Sequence, residues 1–183
     1  MTDHGKRPFS VPDLYLHHKI LESSCAVGCD FAVCSVQSID KDEDSYVTRL
    51  WLFPLDGSPG RQLTHGPASD TSPRLSPSGR RLAFISSRNG SPQLYLLDLA
   101  GGQARQVGTF ESGVTQIEWS PDERYLLASA QVEVDPDLRG KRASRPPKER
   151  KVRVEVAWRL PYKTDGIGYQ LGRQIHLFKV DPD

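Results

Sequence analysis

One self-similarity constrains this chain more than any other feature: two separate stretches match later copies of themselves at the same offset of 44 residues. "LSPSGRRLAF", from Leu75, aligns with "WSPDERYLLA", from Trp119. This places Ser76-Pro77 over Ser120-Pro121, Arg80 over Arg124 and Leu82 over Leu126. "RLWLFPLDGSPGRQLTHG", from Arg49, aligns with "QLYLLDLAGGQARQVGTF", from Gln93. Here Leu50 meets Leu94, Trp51 meets Tyr95, and Arg61-Gln62 meets Arg105-Gln106. A shared offset in two independent segments makes the chain an array of units rather than one irregular domain.

Each unit reads as four short strands. A brief apolar run ends at Ser-Pro, and a second strand follows the turn ("RRLAFISS", "RYLLASA"). A third alternates aromatic or polar with aliphatic residues ("RLWLFPL", "QLYLLDL"), and a Gly-containing turn leads to a short fourth ("RQLTH", "RQVGT"). Units of about 40–45 residues, each a four-stranded sheet, are the signature of β-propeller blades. The expected fold is therefore all-β, a partial propeller of about three four-stranded blades with a short N-terminal helical arm. The arm covers 1–24 and carries "PDLYLHHKIL" as its helix. Blade 1 is degenerate and covers 25–66, blade 2 covers 67–112, and blade 3 covers 113–183 with a basic insertion at 131–173.

In blade 1, "CAVGCDFAV" lies on "SPSGRRLAF" with Gly28 over Gly79 and Phe31-Ala32-Val33 over Leu82-Ala83-Phe84. The polar "QSIDKDEDSYVT" is then a solvated hairpin loop. In blade 3, "QIHLFKV", Gln174 to Val180, supplies the third strand beyond the insertion. Ser76-Pro77-Ser78-Gly79 fits a type I turn, with Pro at its second position and Gly at its fourth. The later copy keeps Ser-Pro and has Glu123 in place of the glycine. A phosphate cradle needs its glycines for close backbone approach, so "SGRR" reads as a bend between strands rather than an anion site.

The candidate chemical sites are few. Cys25, Cys29 and Cys34 form an odd-numbered cluster without a CxxC spacing, which argues against a disulfide framework and a zinc site and for structural cysteines in or beside a strand. His17 and His18 are adjacent on the expected helix, about 100° apart around its axis, and make a poor chelate. GxSxG, Walker, HExxH and GxGxxG motifs do not occur. No catalytic, cofactor-binding or metal-binding residue is therefore assigned, and no cofactor is expected. Between Arg139 and Arg153, 8 residues are Lys or Arg, with Pro146-Pro147 among them. Without interleaved aromatics this reads as an exposed loop ahead of the alternating "KVRVEVAWRLPY", rather than a nucleic-acid patch. The formal charge of +1 supplies no global pull toward nucleic acid or acidic membrane. With no apolar run of membrane-spanning length and no signal-peptide core near the start, a cytoplasmic chain is expected.

"PDLYLHHKIL", "SYVTRLWLFPLDGSPGRQLTHG", "DTSPRLSPSGRRLAFISSR" and "WRLPYKTDGIGYQLGRQIHLFKVD" together resemble the propeller of prolyl oligopeptidase family serine peptidases, of the acylaminoacyl-peptidase and dipeptidyl-aminopeptidase-like kind. The resemblance runs from about Pro12 to Asp181, and its single blocks also fit TolB-like propellers. It implies a propeller that gates peptide access to an α/β-hydrolase domain carrying the catalytic Ser, Asp and His. The expectation for this chain is the non-catalytic N-terminal propeller portion, without that domain and inactive alone. Its open blade faces would be covered by the hydrolase domain or by self-association. The alternative is a stand-alone TolB-like or WD-like interaction scaffold; the WD form lacks its GH…WD pattern.

Overall fold

A computed structural model of the chain describes residues 7–133, 163–164, 168–169 and 173–183. Three antiparallel sheets follow one another along the chain. The first is β1 (Lys19–Ser24), β2 (Phe31–Asp40), β3 (Ser45–Pro54) and β4 (Arg61–Gln62), in that spatial order. The second is β5 (Asp70–Leu75), β6 (Arg81–Ser86), β7 (Gln93–Asp98) and β8 (Arg105–Gln106), again in order. The third has three described strands, β9 (Val114–Trp119), β10 (Leu126–Glu133) and β13 (Arg173–Val180), with β10 in the middle. A two-strand ribbon, β11 (Lys163–Thr164) with β12 (Gly168–Tyr169), stands apart from them. No helix among the described residues is long and apolar enough to cross a membrane.

The pleat decides how the sheets stack. In β6, Leu82 and Phe84 point toward the first sheet and join Val33, Leu50, Tyr95 and Leu97 in one apolar cluster. Ala83 and Ile85 point the other way, and with Leu94 and Leu96 they pack on Ile117, Trp119, Leu126, Ala128 and Phe178 of the third sheet. Residues along one strand thus serve alternate faces, and the middle sheet is covered on both. The first strands adjoin across sheets, β1 beside β5 and β5 beside β9, whereas the fourth strands β4 and β8 share no comparable contact. The sheets therefore converge on their first strands and splay at their fourth, as blades do around an axis.

Several expectations need correction. The arm's helix is only a 3₁₀ turn, Val11–Leu16. From Lys19 the chain is already β1, paired with β2, so the first sheet starts inside the segment assigned to the arm. Ile20, Ser23 and Ser24 find backbone partners in β2, which an isolated turn of helix could not match. The blade 1 alignment slips by one residue: Val33 sits opposite Leu52 just as Ala83 sits opposite Leu96. Val33 is thus the counterpart of Ala83, and Cys29, rather than Gly28, is the counterpart of Gly79. A one-residue slip exchanges the faces of a strand, and the buried Val33 shows which face is inward. The expected loop from Gln37 to Thr48 is mostly ladder: pairing runs out to Asp40↔Ser45 and leaves a four-residue tip. There the Asp40 carboxylate accepts bonds from the Asp42 and Glu43 amides at 3.0 and 3.3 Å. In the third sheet β10 continues through Gln131 to Glu133, because Arg173 and Gln174 still pair with it. Gln131–Glu133 and Arg173, placed in the insertion by sequence, thus belong to the sheet. The basic Arg139–Arg153 segment and the alternating run after it lie outside the described residues.

Candidate functional site

The three first strands form one wall along the converging edge, and their charged side chains are organised across the sheets. A bulge in β5 between Thr71 and Arg74 leaves Ser72 at φ +50°. Such bulges re-aim side chains. Here both Ser72 and Arg74 turn to Glu22 of β1. The Ser72 hydroxyl donates to Glu22 Oε1 at 3.2 Å, and Arg74 Nη1 lies 3.2 Å from Oε2. On its other side Arg74 Nε lies 3.3 Å from Glu118 Oε2 in β9. The result is a Glu22–Arg74–Glu118 ladder running through three consecutive sheets. Backbone contacts run beside it. The Leu75 amide donates to Ser24 Oγ at 2.9 Å, and Trp119 Nε1 donates to the Arg74 carbonyl at 3.0 Å.

Part-exposed ion pairs of this kind contribute about 0–1 kcal/mol each, so the ladder serves arrangement of charge more than stability. Strands β1, β5 and β9 contain no histidine and no cysteine. The wall can hold and sort charge.

A second constellation joins the turns at the edge of the sheets. The Ser76–Gly79 and Ser120–Glu123 turns share one bonding pattern. The amide of the fourth residue reaches the first carbonyl at 2.8 and 3.0 Å. The serine hydroxyl accepts the amide two residues past the turn at 3.2 and 3.1 Å. Gly79 lies at φ +70° and Glu123 at φ +58°, so both copies need the left-handed region at this position. The glycine has a further reason to be there, since a Cβ on Gly79 would lie 2.2 Å from Cys29 Sγ of the neighbouring sheet. Glu123 carries its side chain into the turn before it: its carboxylate accepts the Ser78 amide and, at 3.0 Å, the Ser78 hydroxyl. The "SGRR" turn therefore does bind an anion, and the anion is the next sheet's own glutamate. Arg81 adds to this clasp, donating to the Glu123 carbonyl at 3.2 Å and lying 5.0 Å above the Trp119 ring.

At the far end of β5, Arg88 bonds the buried Asp70 at 3.1 Å and covers the Tyr95 ring at 4.6 Å. A carboxylate this deeply buried requires such a partner. The cysteines are free and scattered in role. Cys34 is buried in β2, Cys29 backs onto Gly79, and Cys25 is exposed after β1. Burial pushes the Cys34 thiol pKa up, which keeps it protonated and unreactive. His17 and His18 are exposed between the 3₁₀ turn and β1, and no group of three His, Cys, Asp or Glu side chains suited to a metal assembles among the described residues.

With sheets, axis and wall in place, the chain can be set beside known proteins. The family model described as the TolB beta propeller domain matches residues 36–143. The chain belongs to the TolB β-propeller family. Among curated relatives, the propeller is 32% identical over 143 residues to the Bacillus subtilis protein named uncharacterized peptidase YuxL, covering 78% of this chain and 21% of that one. It is 40% identical over 73 residues to the TolB homolog of Chlorobium luteolum, covering 40% of this chain and 16% of that one. Among solved structures, the Pyrococcus horikoshii acylaminoacyl peptidase superposes with a TM-score of 0.66 at 18% identity, over 92% of this chain and 24% of that one. The propeller thus spans a quarter or less of the length of each of these proteins.

Sequence reasoning did not single out Glu22, Arg74, Glu118, Glu123 or Arg88. For two of them a signal was present. Arg74 and Glu118 occupy one repeat position, two residues before each Ser-Pro, and opposite charges at a shared position of adjacent units are a direct hint of pairing.

Proposed function

We propose that this propeller is the non-catalytic N-terminal portion of a prolyl-oligopeptidase-like serine peptidase of the acylaminoacyl or dipeptidyl type. In this reading it gates peptide access to an α/β-hydrolase domain that lies outside the chain. The observation that carries it is the 143-residue match, at 32% identity, to a protein named as a peptidase. The ladder supports it from the chemistry side: the wall carries charge that can filter a passing peptide. The reading also places the protein in the cytoplasm.

The expected result of assaying the pure 183-residue chain is no turnover of aminoacyl or acylpeptide chromogenic substrates and no labelling by a fluorophosphonate probe. Turnover abolished by that probe would overturn the assignment of the chain as non-catalytic. Reading the coding sequence beyond codon 183 tests the rest. Further 44-residue repeats followed by a Gly-x-Ser-x-Gly elbow are expected, and an immediate stop codon sinks the peptidase reading. That outcome would favour a stand-alone TolB-like interaction scaffold, for which the 40% identity to a TolB homolog over 73 residues is the supporting observation.

A further inference from the structure

The chain contains a single asparagine, Asn89, and a glycine follows it. An Asn-Gly pair is the least hindered setting for one internal reaction, attack of the following backbone nitrogen on the asparagine side-chain carbonyl carbon. Glycine has no Cβ to shield its nitrogen. Asn89 and Gly90 lie in the exposed turn between β6 and β7. Sterics leave the pair open to this chemistry, so the hydrogen bonds around it decide whether it proceeds.

Both reacting groups are engaged. The Gly90 amide, the nucleophile, donates to the Ser87 carbonyl at 3.0 Å. The Asn89 side-chain nitrogen, the leaving group, donates to the Tyr95 hydroxyl at 2.8 Å and to Gln106 Oε1 at 2.9 Å. The Tyr95 hydroxyl donates in turn to Gln106 Oε1 at 3.2 Å, which closes a triangle. Tyr95 is itself fixed: it stacks on Phe84 and is covered by Arg88, which Ser86 and Asp70 hold. An amide that uses both of its donor hydrogens gives up both bonds when it rotates toward the Gly90 nitrogen. The triangle also has a structural role, because Gln106 belongs to the two-residue strand β8 and Asn89 ties that strand to the β6–β7 turn.

We propose that Asn89–Gly90 is a self-modification site that the Asn89–Tyr95–Gln106 triangle holds shut, and that its product frees β8 from the turn. When the turn opens, the Gly90 amide gives its proton to solvent and its nitrogen bonds Asn89 Cγ. The Cγ–Nδ2 bond breaks, and the side-chain NH2 takes a proton back from solvent and departs as ammonia. Water, the one co-reactant, then opens the cyclic imide. Attack at Cγ restores the main chain and leaves aspartate; attack at the main-chain carbonyl carbon leaves isoaspartate, with the chain routed through the side chain. Either product sets a carboxylate against Gln106 Oε1, an acceptor, where an amide donor stood. Gln106 Nε2 is already committed to the Gly108 carbonyl at 2.9 Å, so the link to β8 does not re-form without breaking that bond. The inference rests on this turn alone and stands whether or not the parent protein is a peptidase.

The test ages the whole chain in mildly alkaline buffer and follows, by peptide mapping, the mass gain from exchange of the Asn89 NH2 for OH. Folded wild type should react tenfold or more slowly than the same chain unfolded in guanidinium chloride. Tyr95→Phe keeps the ring and removes one acceptor, and should speed the folded chain twofold or more. Adding Gln106→Ala should raise the acceleration to fivefold or more. Glu123→Ala weakens the fold at another turn and should leave the rate within twofold of wild type. Equal rates in folded and unfolded chain, or no acceleration in the triangle variants, would overturn the proposal. So would equal acceleration by Glu123→Ala, since unfolding of the whole chain would then control the reaction. Release of β8 is read from Asn89→Asp by amide hydrogen exchange. The Val107 amide, bonded to the Leu94 carbonyl at 2.9 Å, should exchange faster, and the Ser120 amide of the third sheet should not. Unchanged exchange at Val107 would overturn the claim that the modification frees β8.

Discussion

The second and third sheets are built from the same repeat yet stand in different environments, and the difference separates what a blade's sequence specifies from what its neighbours supply. Turn bonding, and the pairing of the first two strands next to the Ser-Pro turns, carry over at the 44-residue offset. Burial does not. Leu94 is fully buried between two sheets, while its counterpart Leu177 is 74% exposed. In a repeat array, stability is a sum of unit terms and neighbour interfaces, so one repeat position can be core in one copy and surface in another. This comparison breaks most readily at those two leucines. Leu94→Ala should destabilise the chain by about 2–5 kcal/mol in urea unfolding. Leu177→Ala should change it by no more than about 0.5 kcal/mol. Comparable losses at the two sites would mean that the third sheet is covered on both faces in solution.

The Ser-Pro turns give a finer version of the same contrast. Both need a left-handed residue at their fourth position; one copy supplies glycine and the other glutamate. Gly79→Ala should cost about 1–2 kcal/mol through its backbone alone. The approach of Cys29 Sγ adds to this, and Cys29→Ala in the same chain should return that added part while leaving the backbone part. If the double variant is no more stable than Gly79→Ala, the two turns are not packed as described.

At Glu123 the strain is offset by the carboxylate that clasps Ser78. Glu123→Ala should therefore lose about 1 kcal/mol, since it keeps the strained backbone and removes a charged acceptor. Glu123→Gly should lose less, because it relaxes that backbone. The order Glu, then Gly, then Ala in thermal unfolding is the expected result. Ala above Gly would show that the clasp, rather than the backbone, is the whole effect.

The fold was legible because a repeat multiplies weak local signals: two copies at one offset fix four strands, their order and their turns at once. What stayed hidden has local physical causes. The blade 1 register was misread by one residue because Gly28 looked like the partner of Gly79. The position is in fact filled by Cys29, and strand burial rather than glycine decides the face. Lys19–Leu21 passed for the end of a helix because "KILESS" has no clear alternation of its own, and pairing with β2 shows it to be strand. The ladder and the clasp involve residues from 42 to 52 positions apart, from Arg81 with Glu123 to Arg74 with Glu22. Charges at such separations become partners only once blades stack. Only the shared repeat position of Arg74 and Glu118 left a trace that a single sequence could show.

The smallest expected effect lies at the turn position where the two copies carry Ser78 and Asp122. Asp122 Oδ1 accepts the Ser120 hydroxyl at 2.7 Å and the Arg124 amide at 3.2 Å. The Ser120 hydroxyl above all, then the Arg124 amide, hold its carboxyl below the ordinary carboxylate range. Ser78 makes the corresponding contacts to Ser76 Oγ and the Arg80 amide at 3.2 and 3.4 Å, and it also donates to the Glu123 carboxylate of the next sheet. A carboxyl whose pKa is lowered on folding favours the folded state above its unfolded pKa of about 3.9, and that contribution fades as pH falls through the lower folded value. The Asp122 contacts of the third blade's turn should therefore loosen in acid. Wild-type protein should hold a small stability advantage over Asp122→Asn from pH 5 to 7. That advantage should shrink toward nothing as acid titrates the carboxyl. Side-chain carboxyl NMR of Asp122 gives the same test without unfolding: a midpoint at or above the ordinary aspartate value would remove the pH dependence assigned to this turn.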